Sequence, residues 1–234
     1  FATCILNLTI LFLGCARTVT SLQLAGNDLV MTFNVSSAIQ NSNRYYVLFS
    51  ASTTTDITVL ELGDYFVAPG EGDYSEGSLK QFGADSSTIN AYYREYFNTW
   101  SDVASLIITD ASSSAGANTN LIRSGTGAFS LETTDNTSIS PTVPNNFQTP
   151  YLSSSVQLSL NFPLSQLSPA FATGDRIYFK ILAVSSSRVL SDITEGSLFV
   201  ENLAGATKSG SESGDAYAGS DGSLDITSYS VRIE

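Results

Sequence analysis

Five aromatic residues lie close together in the sequence: Tyr92, Tyr93, Tyr96, Phe97 and Trp100. Aromatic faces stack on the C–H-rich faces of sugars, and tyrosine adds a hydroxyl. Tyr93, Tyr96 and Trp100 are therefore the candidate ligand-binding residues, with a glycan as the ligand class. The same spacing on a helix is what packing an apolar stripe against a sheet requires, and core packing is the preferred alternative. Carboxylates form the second chemical set. Asp56, Glu61, Asp64, Glu71, Asp73 and Glu76 make one group; Glu212, Asp215, Asp221 and Asp225 make another. Oxygen-rich loops hold calcium, but neither group has EF-hand spacing or a repeat-type calcium motif. Solvated loop acids are expected, with calcium the one cofactor left open.

The chain has no histidine. That removes the commonest general base, the usual serine and cysteine triads, and most zinc and iron sites. A carboxylate-only hydrolase would need two acids across one cleft, about 5–10 Å apart, and no motif selects such a pair. A non-catalytic role is expected. The net charge is −12, with 22 acids against 10 bases, and no run of Lys or Arg occurs. Nucleic acid is therefore not an expected partner. Of the 234 residues, 42% are hydrophobic, enough to bury a core, and only 14% are charged. Ser, Thr, Asn and Gly fill much of the rest, a profile that suits an extracellular β-rich protein.

Residues 1–14, "FATCILNLTILFLG", carry no charge. The apolar run from Ile5 to Leu13 is too short for a membrane-spanning helix, which needs about 20 residues. It is the right length for the apolar part of a signal peptide. The stretch Leu11-Phe12-Leu13-Gly14-Cys15 resembles the lipobox of bacterial lipoproteins. That resemblance implies cleavage before Cys15, acylation of Cys15, and attachment to a membrane through the lipid. Ala16 follows, and the absence of Asp there is compatible with the outer membrane. Two other readings stand beside it. Residues 1–14 could be a buried or donated strand, or Cys4 and Cys15 could form a disulfide.

Period-two alternation and strand formers dominate the remainder. Val19–Leu24 and Leu29–Val35 flank "AGND" and read as a hairpin. "YYVLFSAS" is a strand, and another is expected near Thr58–Leu62. Residues 86–100 show helical spacing, followed by a strand at Ser105–Thr109. Ala128–Thr133 alternates. Val156–Phe162 alternates strictly and is expected to pair with "RIYFKILAV", whose Ile177, Phe179, Ile181 and Ala183 share one face. "SLFV" is a further strand. "GATKSGSESGDAYAGSDGS" reads as a mobile surface loop, and "LDITSYSVRIE" as the terminal strand.

About nine strands and one helix make a mainly β protein, an antiparallel sandwich. "NDLVMTFNV" and "RYYVLFSA" resemble strands B and C of fibronectin type III and related immunoglobulin-like domains. "VQLSLNFPLSQL" and "DRIYFKILAV" resemble E and F, and "LDITSYSVRIE" resembles G. The family's B-strand tryptophan is absent, with Phe33 nearest to it. The expected organisation is a signal-like or donor segment at 1–14, then one sandwich domain at 15–234 with a helix-containing insertion at about 53–154. The expected function is that of a surface lipoprotein, at the outer membrane or cell surface, which binds protein or glycan partners or serves structurally. The rival is a self-associating subunit of an extracellular filament or coat, assembled by strand donation from residues 1–14.

Overall fold

Whether a strand alternates or is apolar throughout decides which faces it can bury, and the two sheets of this protein differ in that respect. The computed structural model describes residues 23–50, 52–58, 61–66, 99–107, 118–123, 155–167, 170–212, 217 and 219–234, with backbone alone for 107 and 118–123. Among them are ten strands: β1 (Asp28–Val35), β2 (Arg44–Ser50), β3 (Trp100–Ile107), β4 (Asn118–Arg123), β5 (Gln157–Pro163), β6 (Arg176–Val184), β7 (Leu190–Ile193), β8 (Phe199–Glu201), β9 (Thr207–Ser211) and β10 (Ile226–Ile233). They form two antiparallel sheets. The smaller has the order β5-β1-β10-β9; the larger has the order β4-β3-β2-β6-β7, with β8 pairing β6 beside β7.

In β1, Leu29, Met31, Phe33 and Val35 are buried and the residues between them are half exposed. β5 alternates in the same way, with Leu158, Leu160 and Phe162 inward. This is the pattern of a sheet with one wet face. β2 and β6 are different. From Tyr45 to Ser50 and from Ile177 to Val184 every residue is buried, so the large sheet is covered on both sides. Its inner face meets the small sheet in one core. Phe33 lies 6.0 Å from Tyr45, Phe49 5.6 Å from Phe162, and Phe179 5.9 Å from Tyr229, ring centre to ring centre. Ile177, Phe179, Ile181 and Ala183 all point into that core, as their alternation requires.

Several expectations change. Val156–Phe162 does not pair with β6; β5 pairs with β1, and β6 lies in the opposite sheet beside β2. The first arm of the expected hairpin, Val19–Leu24, lies outside the described residues up to position 22, and both edges of its second arm, β1, are taken by β5 and β10. The resemblance of the terminal strand to G implies a place in the sheet of C and F. Here β10 sits in the other sheet, between β1 and β9. Glu61–Phe66 forms a turn with one isolated bridge, Tyr65 to Val189, rather than a strand near 58–62. The Gly/Ser-rich stretch supplies a strand, β9, held by five register positions against β10. Polar sequence is no obstacle there, since an edge strand has little to bury.

The expected helix near 86–100 lies outside the described residues up to Asn98. Its last residue does not fit it: Trp100 opens β3, with its backbone paired to Ser50. β3 and β4 both fall within 53–154, the stretch expected to be an insertion, and both belong to the large sheet. Ala128–Thr133 and residues 1–22 lie outside the described residues.

Candidate functional site

Trp100 is the one aromatic of the candidate ligand set that is described, and it is fully buried. It lies on the outer face of the large sheet, not between the sheets. The bulge between Phe49 and Ser50 brings Trp100 opposite Ser50, on the face shared by Tyr46 and Leu48. Phe66 packs 4.8 Å from Tyr46 and 5.9 Å from Trp100. The Trp100 Nε1–H donates to the Thr58 carbonyl at 2.9 Å, and Ile57 is buried in the same layer. Ile57, Thr58 and Phe66 therefore help to roof this face. Trp100 offers no ring to a sugar; it is a core residue of this second apolar layer. Tyr93, Tyr96 and Cys15 lie outside the described residues.

Arg188 closes the edge of the layer. Its guanidinium donates to the Tyr46 hydroxyl at 3.3 Å, and its carbonyl accepts from Phe66 N–H at 2.8 Å. Its φ of 67° is left-handed, a conformation glycine adopts without cost. An arginine there exchanges backbone ease for a buried side-chain contact.

Lys180 sits in the middle of β6, also on the outer face. Its ammonium donates to the carbonyls of Thr194 and Gly196. Burial pushes its pKa down, and Asp56, Glu212 and Glu195 act against that. The ammonium pins the chain where β6 changes partner from β7 to β8. Asp192 does a similar job across the sandwich. Fully buried, it accepts from Ile193 N–H at 2.7 Å and from Ile226 N–H at 2.5 Å, tying β7 to β10. Asp102 accepts from the Ser101 hydroxyl at 2.8 Å.

The candidate calcium acids are dispersed into turns. Asp56 accepts from Ile57 N–H and Asp64 from Glu61 N–H. Asp221 caps the 3-10 turn Gly222–Leu224 and receives four hydrogen bonds, from Gln40, Asn43, and the N–H and hydroxyl of Ser223. Three of these fall on Oδ1 and one, from Asn43, on Oδ2, so the carboxylate is used chiefly as an acceptor for protein donors. Among the described residues, no three Cys, Asp or Glu converge closely enough to hold a metal ion. Glu71, Asp73, Glu76 and Asp215 lie outside the described residues. Among the described residues, the fully buried acids Asp102 and Asp192 serve as acceptors for hydroxyl and backbone donors, which is scaffold chemistry.

Asp221 is open to a direct test. Burial acts against its charge, but the bonds from Ser223 and Asn43 outweigh it, so the carboxyl titrates below its ordinary value. A depressed folded value means that its stabilisation is complete above the unfolded value and is lost as pH falls through the folded one. Asp221→Ala is expected to cost about 1 kcal/mol at neutral pH, as for a lost cap. Denaturant unfolding at neutral and strongly acid pH checks this: the gap from the parent should narrow in acid. A constant gap would mean the charge contributes nothing.

Comparison with protein-family models, with curated proteins and with solved structures gives no match.

Proposed function

We propose that the protein is an extracytoplasmic lipoprotein, held to a membrane through acylated Cys15, whose β-sandwich binds a protein or glycan partner or serves as a structural part of the surface. The observation that carries this reading is the uncharged run that stops at Gly14-Cys15, with Arg17 the first charge after it. One acyl chain gives only marginal membrane binding, and several give stable anchoring, so an acylated cysteine would suffice without a spanning helix. A non-catalytic role is supported by the way the described buried acids are used as acceptors within the scaffold.

The sandwich itself supports an immunoglobulin-like reading in part. β1 with β5 and β2 with β6 are paired in opposite sheets, as B with E and C with F are in that family. The terminal strand beside β1 makes it a variant of that arrangement.

The experiment is Cys15→Ser in the producing cell. The parent is expected in the membrane fraction, labelled by a fatty-acid tracer, with a mass set by diacylglyceryl-cysteine at position 15. The variant is expected to lose the label and move almost entirely to the soluble fraction. Membrane retention of an unlabelled variant would sink the proposal, as would an intact 1–14 segment in the native protein.

A further inference from the structure

The sheet of β5, β1, β10 and β9 buries one side and leaves the other wet, and its register lines up the wet residues in rows. In the middle row Thr32, Ser230 and Ser209 stand opposite one another on β1, β10 and β9. On one side of it runs the row Gln157, Asn34 and Ser228; on the other runs Val30, Arg232 and Thr207. Neighbours along a row are one strand apart, about 4.8 Å, and rows are two residues apart, about 7 Å.

Three properties single this face out. The first is charge. The chain carries a net charge of −12, yet no acid stands in the three rows. Their one base, Arg232, is paired with Glu234 at the end of the sheet, and Lys208 turns to the inner side opposite Val231. The second is unspent hydrogen bonding. Among the described residues, the hydroxyls of Thr32, Ser230, Ser209 and Thr207 bond to no other side chain or backbone group, and all but the half-buried Thr32 belong to exposed residues. The third is a fixed border. Gln157 donates to Asn34 at 3.2 Å and Asn34 donates to Ser228 at 2.8 Å, which holds that row in place.

We propose that this face binds a neutral polysaccharide, whose chain lies along the row of Thr32, Ser230 and Ser209. A hydroxyl both donates and accepts, so its best match is a partner whose uncharged groups do the same at every step. Sugar hydroxyls meet that description. The strand spacing is close to the length of one pyranose unit, so successive sugars meet successive strands. A protein partner fits worse, because interface centres are apolar and rich in aromatics. Val30 is the single apolar residue in the three rows, and none is aromatic. An acidic polymer would meet the repulsion of the whole chain with no free base to offset it here. The proposal takes up the glycan arm of the function proposed above and does not need the lipid anchor.

Native electrophoresis of the full chain in mild detergent, through gels holding dextran, mannan, hydroxyethylcellulose or alginate, tests the proposal. At least one of the three neutral polymers should retard the parent, and alginate should not. Ser230→Glu and Ser209→Glu each set a carboxylate against the sugar, where it must shed water. Each should weaken retention about tenfold or more, at an unchanged melting midpoint. Ser230→Thr keeps the hydroxyl and should keep retention. Ser186→Glu adds the same charge in the exposed turn after β6 and should also keep it. Cys15→Ser should be retarded like the parent, so failure here leaves the test of anchoring untouched. The proposal falls if no neutral polymer retards the parent, if alginate alone does, or if both glutamate variants are retained as the parent is. It falls too if sedimentation shows a dimer that Ser230→Glu dissociates, since a second copy would then cover the face.

Discussion

Phe179→Ala is expected to lower the unfolding free energy by about 3–5 kcal/mol, the cost of removing a large buried ring and leaving a cavity. Phe179 is fully buried in the centre of β6. Its ring stands edge-on to Tyr229 of β10, so it joins the two sheets as well as filling space between them. Neighbouring strands cannot close the gap without breaking register on both sides of β6, where β2 and the Leu198 carbonyl hold it. Phe179→Leu keeps most of the volume and should cost about 1 kcal/mol. Chemical denaturation followed by circular dichroism decides the matter. A loss under 1 kcal/mol for the alanine variant would mean that the sandwich core is not where the structure places it.

Trp100→Ala should cost a similar amount, about 3–5 kcal/mol, but through a different layer. Removing the indole deletes the contact with Phe66 and leaves the Thr58 carbonyl without its donor. The damage should begin at the roof. Amide exchange at Ile57 and Phe66 is expected to accelerate well before exchange in β1 and β10, because local opening follows the weakest packed unit. Trp100→Phe restores an aromatic contact and should recover more than half of the loss. Native Trp100, the chain's single tryptophan, should emit as a buried indole. A melting midpoint left unchanged by the alanine variant would show that the aromatic layer is not a core, and would return Trp100 to the list of binding candidates.

The inward residues of β1, β5 and β6 were legible from alternation alone, because a sheet with one wet face or one shared core repeats every two residues. Strand partners were not. β5 and β6 follow one another among the described strands, which suggests a hairpin, yet the chain crosses from one sheet to the other between them. The apolar residues on both parities of β2 and β6 carried a message that strand composition does not spell out: something must roof the large sheet. β9 was missed because Thr, Lys, Ser and Gly have no strand signature, and what holds it is backbone pairing with β10. β4 and β7 were missed for related reasons, one polar and the other short. Of the chemistry, Lys180 was the plainest signal left unread, a lone charge inside an apolar strand. Asp192 gave no signal, since its partner Ile226 N–H is 34 positions away.

The position of β10 has a consequence for how the chain is made. β1 cannot complete its sheet until β10 exists, and Asn34 and Ser228, which bond across them, are 194 positions apart. At about 5–20 residues per second of synthesis, the first half of that pairing waits roughly 10–40 s for the second. During that interval Leu29, Met31 and Phe33 have no settled neighbour on the β10 side. The native small sheet is therefore closed to the growing chain until β10 has been made. Such a delay makes the polypeptide slow to fold, as a high contact order implies, and leaves it threadable for longer.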